Sequence, residues 1–395
     1  PQKGYLKLIS LGEKSALAEK FGLALSGPML WRWKDRIDRA FMKKLDDLPR
    51  PRPAALPDLV ATGAREVLGS KPLCGGCGAK IGNTVLNDGL SLLQHPTDDT
   101  ILSTPGDDAA VLRQPGGGFQ VISTDHLRAL IHDPAEMARI AAVHALGDIW
   151  AMGAQPQAAL SSIILPHMSP ALQSRTLGEI TAAANDVFSR AGATIVGGHT
   201  TMGAEMTIGF TVTGTCTSSP ISLSGAQAGD VLVLTQPIGS GVLMAAHMEG
   251  SARGADVAQV LAEMTQLQDR QAFHLRHAHS MTDVTGFGLA GHIAAICRAS
   301  HLSAEILADA VPVYAGARAL SERGVQSSLF QPNIENAPTL GRQDPLFHDP
   351  QTAGGLLAVL PPADAEAALC NMAAEGKKAW IIGRMIDGEG AVTIL

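Results

Sequence analysis

Residues 133–153, DPAEMARIAAVHALGDIWAMG, constrain this chain more than any other stretch. Asp133 is a capping residue, Pro134 fits a first turn, and Glu136 puts an acid at the third position. Together they predict a helix that starts at 133, runs to about Met152 and ends at Gly153. The run is apolar apart from a few groups. Asp148 lies four residues after His144 and eight after Ile140, so the three share one face. A carboxylate on an apolar helical face needs a partner, and most such acids are caps or ion-pair members.

Around this helix the pattern alternates. Residues 120–124 read as a buried strand closed by Asp125, 193–196 as a short strand, and 206–213 as a half-exposed one. A Gly-rich turn at 225–229 opens a second α/β unit whose first strand is 231–235. The fold class expected is α/β or α+β in two lobes, 99–222 and 223–395, preceded by an appendage. Residues 68–98 hold a Gly/Cys-rich loop and a helix. Residues 49–67 open with a proline-rich run (Pro49, Pro51, Pro53, Pro57) and read as a stiff linker. Within residues 1–48, a strand is expected at 5–10 and an amphipathic helix at 28–46. In that helix Leu30, Trp33, Ile37, Phe41 and Leu45 recur at helical spacing, and Arg32, Lys34, Arg36, Arg39, Lys43 and Lys44 make the other surface basic. The stripe fits docking on another domain, or contact with a membrane surface.

Charge is uneven: residues 1–53 carry +6 and the remainder −13, for a total of −7. An acidic chain with 4% aromatic residues is a poor general partner for nucleic acid. Five dispersed cysteines, Cys74, Cys77, Cys216, Cys297 and Cys370, fit no disulfide framework, so a reducing cytoplasm is expected.

The chemistry-bearing loop is CGGCGAKIG at 74–82. Its glycines permit unusual backbone conformations. A thiol three residues before a lysine suggests an activated nucleophile beside a phosphate-binding charge. Cys74 and Cys77 are equally spaced for half of a zinc site or for a redox dithiol; a catalytic loop is the favoured reading. Asp108, Asp125, Asp148 and Asp283 sit in apolar or Gly-rich settings and resemble the oxygen set a Mg²⁺ ion uses beside phosphates. GGHTT (197–201), which follows a strand, and PIGSG (237–241), between a strand and a helix, are Gly-rich segments with two readings: turns that merely connect elements, as most such turns do, or cradles whose backbone N–H groups face phosphate. Neither is a Walker A loop.

In their order, the Cys77-x-x-Lys80 loop, DDAAV (107–111), STD (123–125), the helix 133–153, GGHT (197–200), LTQPIGSGV (234–242), MTDVTGFGLAGH (281–292) and DPQTAGGLL (349–357) resemble selenophosphate synthetase (selenide, water dikinase). The resemblance runs from about residue 70 to 395. It implies an aminoimidazole ribonucleotide synthetase-like two-domain fold, a homodimer with a shared barrel, and conversion of ATP, selenide and water to selenophosphate, AMP and phosphate. By position, Cys77 and Lys80 would be catalytic. Lys80, Asp107, Asp125, Asp148, Gly198, His199 and Thr200 would contact ATP, and Asp108, Asp148 and Asp283 would hold Mg²⁺. Relatives such as thiamine-monophosphate kinases and hydrogenase-maturation proteins share part of these motifs, and a non-catalytic selenium-binding module is a further alternative. The chain departs from the pattern at Ala79, where many relatives have a second Cys, and at His144, where many have Asn. His126-Leu127 replaces an aromatic pair, and Cys74 is an extra thiol. Residues 1–48 resemble the C-terminal end of a type-II NADH dehydrogenase-like flavin oxidoreductase without its flavin-binding part, so no FAD is expected.

Overall fold

The computed structural model describes residues 5–46, 74–94, 96–103 and 109–395. The expected linker run, Asp107 and Asp108 lie outside the described residues. The chain divides into two compact units, Pro1–Arg52 and Pro53–Leu395.

The first unit is richer than the sequence patterns suggest. Three antiparallel strands, β1 (Lys7–Gly12), β2 (Ser15–Lys20) and β3 (Leu23–Gly27), form a meander, and helix α1 (Pro28–Asp46) packs on β2. Alternation buries Ala16 and Ala18. The small residues Ala and Gly in β2 and β3 hide the strand signal that a Val/Ile run carries. Trp33, Ile37 and Phe41 of the expected stripe remain exposed. Among the described residues, no helix is long and apolar enough to cross a membrane.

In the second unit, a 3₁₀ turn (Gly76–Ala79) and α2 (Asn83–Leu90) precede a five-stranded sheet. Its strands are β4 (Ala110–Arg113), β5 (Phe119–Arg128), β6 (Gln155–Pro166), β7 (Thr194–Gly203) and β8 (Thr207–Cys216), in the order β4-β5-β8-β6-β7. All neighbours are antiparallel except β6 and β7. Helices α3 (Pro134–Ala151) and α4 (Pro170–Arg190) pack against this sheet and each other. The expected start of α3 is present: the Asp133 side chain accepts the Glu136 N–H at 2.9 Å. Gly153 follows the helix at φ +67°, a conformation that favours glycine.

The second sheet has seven strands: β9 (Val231–Leu234), β10 (Ser280–Asp283), β11 (Leu302–Ile306), β12 (Leu340–Gly341), β13 (Leu356–Leu360), β14 (Trp380–Asp387) and β15 (Val392–Ile394), in the order β10-β13-β9-β14-β11-β15-β12. Helices α5 (Ser240–Met248) and α6 (Gly288–Ser300) belong to this half. Helix α3 also touches β10 and β13. It therefore lies against both sheets, which is why Met137 through Ala151 is buried almost throughout apart from Arg139. One continuous apolar core joins the two halves.

Three local expectations change. Asp125 is not a strand end: β5 continues to Arg128, and Val121, Ser123, Asp125 and Leu127 alternate on its inner face. Residues 197–201 are not a turn after a strand but the middle of β7, because the strand runs through both glycines. The PIGSG turn has no free N–H groups to offer phosphate. Gln351 Oε1 accepts from the Gly239 and Ser240 N–H groups, both at 3.0 Å, and Asp349 Oδ2 accepts from Gly241 N–H at 2.9 Å.

That internal cap has a measurable signature. Burial pushes the Asp349 carboxyl up to about 7, against opposing hydrogen bonds from Val242, Gln351 and Gly241. Unfolded, it titrates near 3.9. Its contribution is full below about pH 4 and is lost as pH rises to about 7. In urea melts, wild-type stability minus that of Asp349→Asn should fall by up to about 4 kcal/mol over this window and stay level above it. A difference independent of pH would contradict the assignment.

Candidate active site

The loop is held on the second unit's core by backbone contacts. Gly76 has φ +56°, and a Cβ there would sit 2.6 Å from Thr352 Oγ1. The next residue uses that same hydroxyl: Cys77 N–H donates to Thr352 Oγ1 at 3.0 Å. Cys74 anchors the other end, its N–H donating to Ser328 Oγ at 3.2 Å while Ser328 N–H donates to Cys74 Sγ at 3.4 Å. The two thiols thus have separate partners. Cys77 is fully buried, and its Sγ lies 3.3 Å from His144 Nε2.

Lys80, one turn on, places Nζ 3.2 Å from Asp125 Oδ1, with 30% and 14% of the two side-chain surfaces exposed. His144 Nε2 is 3.6 Å from the same oxygen. Asp148, one turn beyond His144, accepts from Ser123 Oγ and contacts both Asp125 and Asp283. Asp283 ends β10, opposite Gly147 of α3; a Cβ on Gly147 would lie 2.3 Å from Asp283 Oδ2. So β5, α3, β10 and the loop deliver Asp125, His144, Asp148, Asp283, Cys77 and Lys80 to one place.

The electrostatics follow from this crowding. Burial alone would lower the Lys80 ammonium, but Asp125 and then Cys77, Asp148 and Asp283 outweigh it and hold Lys80 well above its ordinary value. Burial opposes ionisation of Asp125, yet His144 and Lys80 keep it well below the usual carboxylate range. Burial raises Asp283, with Asp125 adding to the effect and His144 and Lys80 opposing it. Carboxyls in contact must share protons or a cation.

The site is a fair match to Mg²⁺. Asp125, Asp148 and Asp283 form a chain of hard oxygen donors with Asp148 in the middle, the donor type this ion takes. Among the described residues, no three His, Cys, Asp or Glu side chains close into a ready-made cage.

Of the expected site residues, Cys77, Lys80, Asp125, Asp148 and Asp283 come together. Gly198, His199 and Thr200 do not join them in the same chain. Register aligns Asp125, Phe210, Ser161 and Gly198 across four strands, a span of about 14 Å at the usual strand spacing. Sequence reasoning missed Ser123 and Thr352 as supports. It noted His144 as a departure without pairing it to Cys77, since the contact joins residues 67 positions apart.

The architecture matches the AIR synthase related protein family, its N-terminal domain over residues 106–216 and its C-terminal domain over 227–395. Among solved structures, thiamine-monophosphate kinase from Stenotrophomonas maltophilia K279a superposes with a TM-score of 0.59 at 20% identity, covering 78% of this chain and 93% of that one. The hydrogenase maturation protein HypE in complex with ATP gives 0.56 at 22% identity, covering 75% and 87%. These define a two-domain AIR synthase-like α/β protein. Sequence relatives narrow the class. The selenide, water dikinases of Burkholderia ambifaria and Geobacter metallireducens are 34% and 35% identical to this chain, covering 81% of it in both cases and 94% and 96% of their own lengths. This chain belongs to the selenide, water dikinase family.

The packing of α3 on Asp283 leaves no room for a methyl group. Gly147→Ala should lower stability by about 1–3 kcal/mol through overpacking, read as a lower urea midpoint. An unchanged midpoint would show that this contact is not tight.

Proposed function

We propose that this chain makes selenophosphate from selenide, ATP and water, releasing AMP and orthophosphate. The observation that carries the reading is the meeting of Cys77 and Lys80 with the Asp125–Asp148–Asp283 carboxyl chain. A phosphoryl transfer asks mainly for positioning and for charge placed where the phosphates sit. Lys80 supplies the cation, and its tether to Asp125 fixes where that cation points. Cys77 waits beside it for the selenium substrate. The γ-phosphoryl group passes to selenide, and water then cleaves the remaining ADP to AMP and orthophosphate.

Asp108, Asp148 and Asp283 are the residues we assign to Mg²⁺, which when bound would neutralise and bridge phosphate oxygens. Asp107, Asp125, Asp148, Gly198, His199, Thr200 and Lys80 are assigned to the nucleotide. The free thiols throughout fit a reducing cytoplasm.

Gly198, His199 and Thr200 lie on β7, an edge strand, with Val196 and Met202 each 64% exposed. Such an edge is a template for pairing. We assign it to a second copy of this chain, forming the homodimer expected from the family resemblance. Val196→Glu combined with Met202→Glu should halve the mass seen by sedimentation and reduce turnover. A wild type sedimenting at the chain mass of 41.0 kDa would refute the dimer.

The activity itself is tested by measuring AMP with and without selenide. Wild type should form AMP only with selenide, and Cys77→Ala and Lys80→Ala should lose at least about a hundredfold while melting normally. ATP turnover indifferent to selenide would sink the proposal and point to another reaction of the same fold.

A further inference from the structure

We propose that a cavity in the C-terminal half binds a nucleoside monophosphate, at a place separate from the Asp125–Asp148–Asp283 chain. The cavity encloses about 300 Å³, the lower end of the range that holds small ligands. Its wall combines the residues just after β9, the helix Gly254–Met264, the helix Asp269–His274, and residues 376–380, which run into β14. None of Cys77, Lys80, Asp125, Asp148 or Asp283 lines it. Strand β13 lies between β9 and β10, the strand that carries Asp283.

Two buried amides mark this space as more than a gap in packing. Gln236 and Gln271 both line it, with only 4% and 6% of their surfaces exposed. Gln236 Oε1 and Gln271 Oε1 have no hydrogen-bond partner among the described residues. A buried amide is costly when unpaired, and nearly all of them find a partner. The neighbouring Gln268 shows the ordinary case. Its Oε1 accepts from Thr235 Oγ1 and its Nε2 donates to Gly354 O, both at 2.7 Å. The same fold thus satisfies one glutamine internally and leaves two beside a shared space. Each of the two amides holds a donor and an acceptor in one plane, and turns about its terminal bond to present either. Paired donors and acceptors of this kind read the edge of a nucleobase.

The rest of the lining extends the match. Trp380 brings a flat aromatic ring, a surface on which any base stacks. Glu263 brings a carboxylate that accepts from ribose hydroxyls. Lys377 and Lys378 stand side by side, and neither forms an ion pair among the described residues. Lysine serves as a point charge for phosphate. An apolar ligand would leave both amides unpaired, and a bare anion would use the lysines alone. A base, a sugar and a phosphate together use every one of these groups. Two lysines and so small a volume suit one phosphate rather than three.

The test is calorimetry of AMP binding to the whole chain. A non-hydrolysable ATP analogue and Mg²⁺ are present at saturation, so that the nucleotide site of the proposed function is already filled. One further AMP should bind per chain, with a Kd below about 1 mM. Adenosine and inorganic phosphate, tested separately, should each bind at least about tenfold more weakly. Gln271→Leu, and separately Lys377→Ala combined with Lys378→Ala, should each weaken AMP binding at least about tenfold. Gln271→Leu should also keep or raise the urea midpoint, since it removes no internal hydrogen bond. Should that variant melt early, Gln236→Leu and the lysine pair carry the same comparison. An AMP affinity unmoved by the amide and lysine variants overturns the proposal, as does adenosine or phosphate alone binding as tightly as AMP. A wild type that takes up no AMP overturns it too, and shows a cavity that holds water only.

Discussion

The ion pair between Lys80 and Asp125 is the contact on which the site depends. Without it, the Asp125–Asp148–Asp283 chain would have, among the described residues, only His144 as a counter-charge. With it, Asp125 remains ionised and Lys80 remains charged, while burial, with Asp125 adding to the effect, makes Asp283 hold its proton more tightly. Under the proposed function, a triphosphate with its metal would enter the same balance and replace some of these internal contacts. The pair also ties a glycine-rich loop, already anchored at Cys74 and Cys77, to strand β5, so that its lysine points to one place.

Helix α3 makes that arrangement possible. It touches strands of both sheets, so His144 and Asp148 are fixed from two sides at once. The apolar core that surrounds it is shared by the two halves, and core packing transmits any displacement of one half to the carboxyl chain. Close approach at Gly147 brings Asp283 within reach of Asp148. The cap that Asp349 and Gln351 place on the start of α5 stiffens the segment that also offers Thr352 to Cys77. Support for the chemistry therefore comes from groups whose own roles are structural.

Much of this was legible in the sequence, for identifiable reasons. The helix at 134–151 announces itself through a local cap, a proline and a glycine. The loop and the aspartates stand out because thiols, lysines and carboxylates are costly in apolar settings. What stayed hidden depends on distant partners. The turn at 237–241 looks like a phosphate cradle until residues 349 and 351, more than a hundred positions away, are seen filling it. Residues 197–201 look like a turn because two glycines weaken a strand pattern, while the pairing with β6 overrides that preference. His144 reads as one polar group on an apolar face, and only the fold supplies its thiol. The order of motifs pointed to the family; the contact between Cys77 and His144 had no counterpart in that pattern.

The central claim is that Lys80 and Asp125 act as one electrostatic unit for the nucleotide. A double-mutant cycle on ATP affinity, using Lys80→Met and Asp125→Asn singly and together in the presence of Mg²⁺, measures that unit directly. The account predicts a coupling of at least about 1.4 kcal/mol, a tenfold departure from additivity. Effects that add to within about 0.5 kcal/mol would mean that the two residues act independently and would contradict it.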